Sequence, residues 1–128
     1  MGTRSLTRVH SEYGGVVLCM YRQYDGYPSG HGKELAEFLA PIAMVNGLGA
    51  RDARVANGMG CLAAQLVAHF KKQPGDFYLY PADANDVGEE YVYDVYPGRM
   101  VCAKVYSGQK LYDGPAADFD GWLAKEEG

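Results

Sequence analysis

The sequence predicts an α+β fold: a compact single domain with an antiparallel sheet, two main helices and a short C-terminal helix. Three observations predict it. Segments with the alternation of strands lie at both ends of the chain, and segments of helical periodicity lie between them. The 128 residues also contain no repeat, low-complexity tract or linker, which favours one ligand-binding domain spanning residues 1–128.

The first two strands are predicted by a hairpin signal. Residues 6–13 and 16–21 flank Gly14-Gly15, a pair that forms two-residue turns because glycine adopts positive φ. The later strands are predicted at residues 77–80, 90–96, 100–106 and 110–112, which are rich in tyrosine and valine and are separated by proline and glycine turns. The sheet should therefore combine the N-terminal hairpin with these C-terminal strands.

The helices are predicted from apolar spacing. The first runs over residues 32–39, and Pro41 separates it from a predicted short helix at 42–45 and a turn at 46–49. The second main helix, at 61–72, repeats Leu62, Leu66 and Phe70 every four residues. A short C-terminal helix is predicted over residues 115–125.

Composition excludes several classes of function. A net charge of −4 argues against nonspecific binding of long nucleic acid. Three cysteines without a Cys-x-x-Cys motif indicate free thiols in a reducing compartment. No histidines or cysteines stand at metal spacing, so we expect no metal and no cofactor. The sequence shows no long apolar stretch and no signal peptide, so we expect no membrane contact and a cytoplasmic location.

The glycine-rich stretch at residues 21–33 joins the second strand to the first helix. It contains Arg22, Gly26 and His31, and such a turn leaves unpaired amides at a helix start, where an anion can bind. The stretch matches neither the phosphate-loop pattern nor the dinucleotide-binding pattern. A tight turn carrying a surface arginine explains the same residues, and this alternative stays open.

Two further places combine a cation with features of a ligand site. Arg51 and Arg54 precede the Asn57-Gly58 helix entry, where an anion could dock, although a solvated charge cluster is the alternative. Lys104 lies on a late strand among aromatic residues, an arrangement that suits a base and a phosphate. An ordinary sheet surface accounts for the same pattern.

The string Tyr-Arg-x-x-Asp-Gly-Tyr-Pro-x-Gly-x-Gly-x-x-Leu at residues 21–35 resembles the Thoeris anti-defence sponge family. These small phage and prophage proteins sequester cyclic ADP-ribose signals that bacterial immunity produces. The resemblance implies a phage-type immune-evasion protein that acts in the host bacterial cytoplasm as a homo-oligomer, a dimer or a hexamer. It also implies binding without turnover, so that the chain is expected not to be an enzyme.

The resemblance also implies which residues bind. Phe77 would stack on the adenine, and Lys104 would meet the pyrophosphate where an arginine is usual. Some members hold cyclic di- or trinucleotides in a second pocket, which would give Arg22, Gly26 and Arg54 a role. Gln23 stands where many relatives carry histidine, so it belongs to the same predicted site while lacking the stacking ring.

Two alternatives of other classes remain open from the sequence. The first is a small enzyme that acts on a phosphorylated nucleotide with His31 or His69 as the acid–base group. The second is a phage protein-interaction module whose tyrosine-rich sheet contacts another protein. The sequence shows no nucleophile–base pattern and no metal-ligand cluster, so we expect no catalytic residues and favour the binding protein.

Overall fold

The computed structural model describes residues 2–45 and 54–127. In chain order the elements are β1 (Ser5–His10), β2 (Val16–Arg22), α1 (Lys33–Leu39), β3 (Ala43–Val45), β4 (Val55–Asn57), α2 (Gly58–Phe70), β5 (Phe77–Tyr80), β6 (Tyr91–Tyr96), β7 (Arg99–Lys104), β8 (Lys110–Gly114) and α3 (Phe119–Glu127). A π-helical turn, Pro28–Gly32, runs directly into α1. None of the helices in these ranges has the length and hydropathy of a transmembrane span.

Six strands form the main sheet in the order β5-β2-β1-β6-β7-β8. Four of the five neighbouring pairs are antiparallel, and the pair of β1 with β6 is parallel. The hairpin of β1 and β2 thus joins the meander of β6, β7 and β8 side by side. The predicted α+β class, with a mostly antiparallel sheet and a short C-terminal helix, is confirmed.

The main core lies between one face of this sheet and the helices. Successive side chains of a strand point to opposite faces, so alternate residues of each strand face the helices. The fully buried residues of this core include Val9, Met20, Leu35, Leu66, Tyr93, Met100 and Phe119. The spacing of Leu62, Leu66 and Phe70 predicted the buried face of α2, and all three are buried.

A smaller core lies on the opposite face of the sheet. Leu6, Cys19, Tyr21 and Val92 are buried there beneath the segment that follows β5. The Arg8 guanidinium holds this segment to the sheet by donating to the carbonyl oxygen of Ala84 at 3.1 Å. Both faces of the sheet are therefore covered at its centre.

The structure corrects the predicted short helix at residues 42–45. Ala43–Val45 is instead a strand, β3, that pairs in parallel with Val55–Asn57, β4. A three-residue strand is decided by its partner rather than by its own composition, so local sequence could not predict the pair. The predicted turn at 46–49 and the candidate residue Arg51 lie outside the described residues.

The second main helix also begins earlier than predicted, at Gly58, and ends at Phe70. The Glu12 carboxylate, from the turn after β1, accepts a hydrogen bond from the backbone amide of Met59 at 3.0 Å. A carboxylate at the N-terminus of a helix accepts a hydrogen bond from an otherwise unpaired amide and interacts favourably with the positive end of the helix dipole. The N-terminus of α2 is thus capped from the hairpin, which the sequence did not reveal.

Candidate functional site

The glycine-rich loop at residues 23–32 folds back over one end of the main sheet, the end at which β2 finishes and β5 begins. The Gly26 amide donates to the carbonyl oxygen of Thr3 at 2.8 Å, and the Tyr93 hydroxyl donates to the Gly26 carbonyl at 2.6 Å. A Cβ at Gly26 would lie 2.8 Å from the Thr3 carbonyl oxygen and 2.9 Å from the Ser5 Cβ. Gly26 is therefore required for the close approach of the loop to β1.

The loop amides that the sequence predicted as an anion site are used within the loop itself. The amide of Gly30 donates to the Tyr27 carbonyl at 2.9 Å, and the amide of His31 donates to the Asp25 carbonyl at 2.7 Å. The π-helical turn continues without interruption into α1. The loop consequently presents a closed, internally bonded surface at this point.

Beneath the loop lies a polar group of side chains, the Arg22 cluster, made of the buried Arg22, His31 and Thr7 and the exposed Glu34. Arg22 is 7% exposed and His31 is fully buried. Arg22 Nη1 lies 3.1 Å from His31 Nδ1 and 3.0 Å from Glu34 Oε1. Because arginine only donates, His31 Nδ1 is the acceptor, and the opposite nitrogen Nε2 donates to Thr7 Oγ1 at 2.7 Å.

His31 is held neutral in this cluster. Burial, together with the positive charge of Arg22, lowers the pKa of His31 from 6.5 to about 3. A fully buried imidazole that is both a hydrogen-bond donor and an acceptor has no lone pair or proton left for a substrate. His31 is thus a structural residue, and an enzyme of this fold would need a different acid–base group.

Arg22 has two further neighbours from the far side of the loop. Its guanidinium carbon lies 4.8 Å from the centre of the Phe77 ring, and its Nε lies 3.9 Å from Asp76 Oδ2. Within the described residues that Nε makes no hydrogen bond. With Glu34 and Asp76 both beside it, the charge of Arg22 is balanced, and a phosphate would have to displace a carboxylate to bind here.

Phe77 and Lys104 share one face of the sheet but lie far apart. Phe77, Arg22, Ser5, Tyr91 and Lys104 are successive register partners across five strands, so they form a single row, the end row. Four steps of about 4.8 Å place the two ends of the row about 19 Å apart. A small ligand cannot touch both residues within one chain.

The two ends of the end row differ in exposure. Phe77 is half-buried, and its ring centre lies 5.4 Å from that of Phe70 in the core. Lys104 is exposed. Gln23, just beyond the end row, is half-buried and accepts a hydrogen bond from the Tyr21 hydroxyl at 2.5 Å. Lys104 is therefore the candidate at this end of the sheet that a ligand can reach most freely.

Arg54 lies away from the end row. It is exposed and lines an open cleft between α1 and α2, together with His69 and Phe38. The structure therefore separates the predicted site residues into two groups: Arg22, Gln23, Gly26, Phe77 and Lys104 at one end of the sheet, and Arg54 in the helix cleft.

Several partners of Arg22 and His31 were not predicted from the sequence. Thr7 bonds to His31, whereas Glu34 and Asp76 lie against Arg22. None of the three carries a motif, and they come together only because β1, α1 and the turn before β5 converge there. The alternation of β1 is the one available signal, since it places the polar Thr7 on the same face as Val9. Among residues 2–45 and 54–127 no three metal-binding side chains come together.

Comparison with family models, with curated proteins and with solved structures finds no match for this chain. Its function is therefore inferred from the residues and geometry described above.

Proposed function

We propose that this chain is a binding protein that sequesters a cyclic ADP-ribose-type nucleotide without degrading it. In this proposal it is a phage-type immune-evasion protein that acts in the cytoplasm of the host bacterium. Cyclic di- and trinucleotides are further ligands of the same class. The proposal starts from the motif at residues 21–35 and from the placement of the residues that this resemblance implicates.

The observation that carries the proposal is the end row. Five of the six implicated residues come from β2, the loop after it, β5 and β7, yet all five lie at one end of the sheet. Phe77 offers a ring for a base at one end of the row, and Lys104 offers a cation for a phosphate at the other end. These are the two chemical groups that recognise a nucleotide.

The separation of about 19 Å supports a second part of the proposal, that the chain is a homo-oligomer. A nucleotide that contacts both Phe77 and Lys104 has to lie between two copies, with one residue from each. Light scattering at micromolar concentration should accordingly give a particle of two or more chains. A particle with the mass of one chain would contradict this part.

Binding without turnover is tested by recovering the ligand. A cyclic ADP-ribose isomer is incubated with excess protein, the free concentration is measured, and the protein is then denatured by heat. We expect the free ligand to fall on mixing and to return intact, by mass spectrometry, after heating. A hydrolysed product would favour the small-enzyme alternative, and an unchanged free concentration would favour the protein-interaction module.

A further inference from the structure

The cleft between α1 and α2, called here the helix cleft, forms a second site that does not depend on the end row. Its volume is about 440 Å³, which falls in the range of about 300–1,000 Å³ that is typical of small-molecule sites. Its lining includes the apolar side chains of Pro41 and Ile42 and the rings of Phe38 and His69. The cleft is open to solvent and therefore accessible to a ligand.

Phe38 and His69 form an aromatic platform held in a fixed orientation. The His69 and Phe38 rings are stacked, with centres 4.8 Å apart and an angle of 30° between their planes. His69 also meets the buried Phe70 ring edge to face, at 5.0 Å and 89°. Because Phe70 belongs to the core, the exposed His69 ring is oriented in advance, which lowers the entropy cost of stacking a ligand on it.

The polar groups of the cleft favour an anion. Arg54 is exposed on the lining, and Gln65 adds an amide that donates to the Val55 carbonyl at 3.1 Å. Among the described residues of the lining Glu37 is acidic, and the ammonium of Lys33 lies 3.1 Å from its carboxylate. The repulsion that Glu37 would exert on an anion is thereby reduced.

We propose that the helix cleft binds a planar aromatic anion, with the ring on the Phe38–His69 platform and the anionic group at the Arg54 guanidinium. Arginine binds phosphates and carboxylates through parallel hydrogen bonds, and aromatic rings pack well on a preformed ring surface. Pro41 and Ile42 add apolar surface to the same lining. A simple anion has no use for the rings or for this apolar surface, so the ring and the charge are both required.

Titration with phenyl phosphate, followed by calorimetry, tests this assignment in the intact protein. We expect saturable binding of phenyl phosphate, with at least tenfold weaker binding of inorganic phosphate and of phenol, since each offers half of the recognised chemistry. Adenosine monophosphate is a second probe. Tighter binding of adenosine monophosphate than of phenyl phosphate would identify the source as a nucleotide, and the reverse order would identify a smaller aromatic acid.

Four variants distinguish binding in this cleft from binding at other cationic parts of the surface. Arg54→Gln should weaken phenyl phosphate binding about tenfold or more, and His69→Ala about threefold. Lys72→Gln, an exposed lysine just after the same helix, should leave it unchanged, as should Lys104→Gln at the end row. No saturable binding of phenyl phosphate, or equal affinities of wild type and Arg54→Gln, would overturn the proposal without bearing on the end row.

Discussion

Removal of the Arg22 side chain should destabilise the fold, because Arg22 connects the loop, β2 and α1. In Arg22→Ala the buried Nδ1 of His31 loses its hydrogen-bond donor, and this unsatisfied acceptor lowers the free energy of unfolding by about 1–3 kcal/mol. The lost contact between the guanidinium and the Phe77 ring adds about 0.5–2 kcal/mol. Glu34 adds little, since its side chain is 47% exposed and water replaces the arginine.

Together these contributions lower the free energy of unfolding by about 1.5–5 kcal/mol, which corresponds to a fall in Tm of roughly 6–20 °C for a chain of this length. Urea denaturation followed by circular dichroism measures the first quantity directly. The control is Lys110→Ala, which removes an exposed ion pair, with Nζ 3.1 Å from Asp113 Oδ2, and should cost less than about 1 kcal/mol. If Arg22→Ala unfolds at the same urea concentration as Lys110→Ala, the Arg22 cluster does not hold the loop. The stability of Arg22→Ala has to be measured before its ligand affinity, because unfolding would also lower the apparent affinity.

The remaining predictions concern His31 and two glycines. The unfolded chain protonates His31 near pH 6.5 and the folded chain only near 3, so the free energy of unfolding should fall as pH drops through this interval. Between pH 7 and 4.5 His31 contributes roughly 2–3 kcal/mol to that fall. The His31→Gln variant should lack this contribution in its denaturation curves. The same dependence of the unfolding free energy on pH in wild type and in His31→Gln would contradict the neutral, buried imidazole. Gly26→Ala should destabilise by about 1–3 kcal/mol because the new Cβ would meet the backbone of Thr3 and Arg4 and the Cβ of Ser5. Gly60→Ala lies in α2, where the added Cβ has none of the described residues within 4 Å, and should instead stabilise by about 0.5–1 kcal/mol. Thermal melts that show the same sign for both variants would refute this account of the loop.

The elements with local signals could be predicted from the sequence. Gly14-Gly15 indicated the hairpin, the spacing of Leu62 and Leu66 indicated α2, and alternation indicated the late strands. These signals come from neighbouring residues whose periodicity follows from helix and strand geometry. The order of the strands has no such local signal.

The composition of the candidate site depends on the order of the strands, which the sequence does not reveal. The sequence left Arg22 open between an anion-binding residue and a surface residue, yet it is buried, because Glu34, Asp76 and Phe77 come from other parts of the chain that converge on it. Phe77 and Lys104 were expected on one face, and the registers place them there, but the intervening β2, β1 and β6 separate them. Strand order, rather than residue type, decided which candidates could act within one chain.

The most direct test of the proposed function is a calorimetric titration of a cyclic ADP-ribose isomer into wild-type protein and into Lys104→Gln. Lys104 is exposed, so its replacement should leave the fold intact. Loss of a charged hydrogen bond to a phosphate should weaken binding by about 1.5–3 kcal/mol, or roughly 10- to 100-fold, whereas Lys125→Gln on α3 should bind as the wild type does. Saturable binding in the wild type with this selective loss is the predicted result. Equal affinities in all three proteins, or no saturable heat in the wild type, would contradict nucleotide binding at the end row.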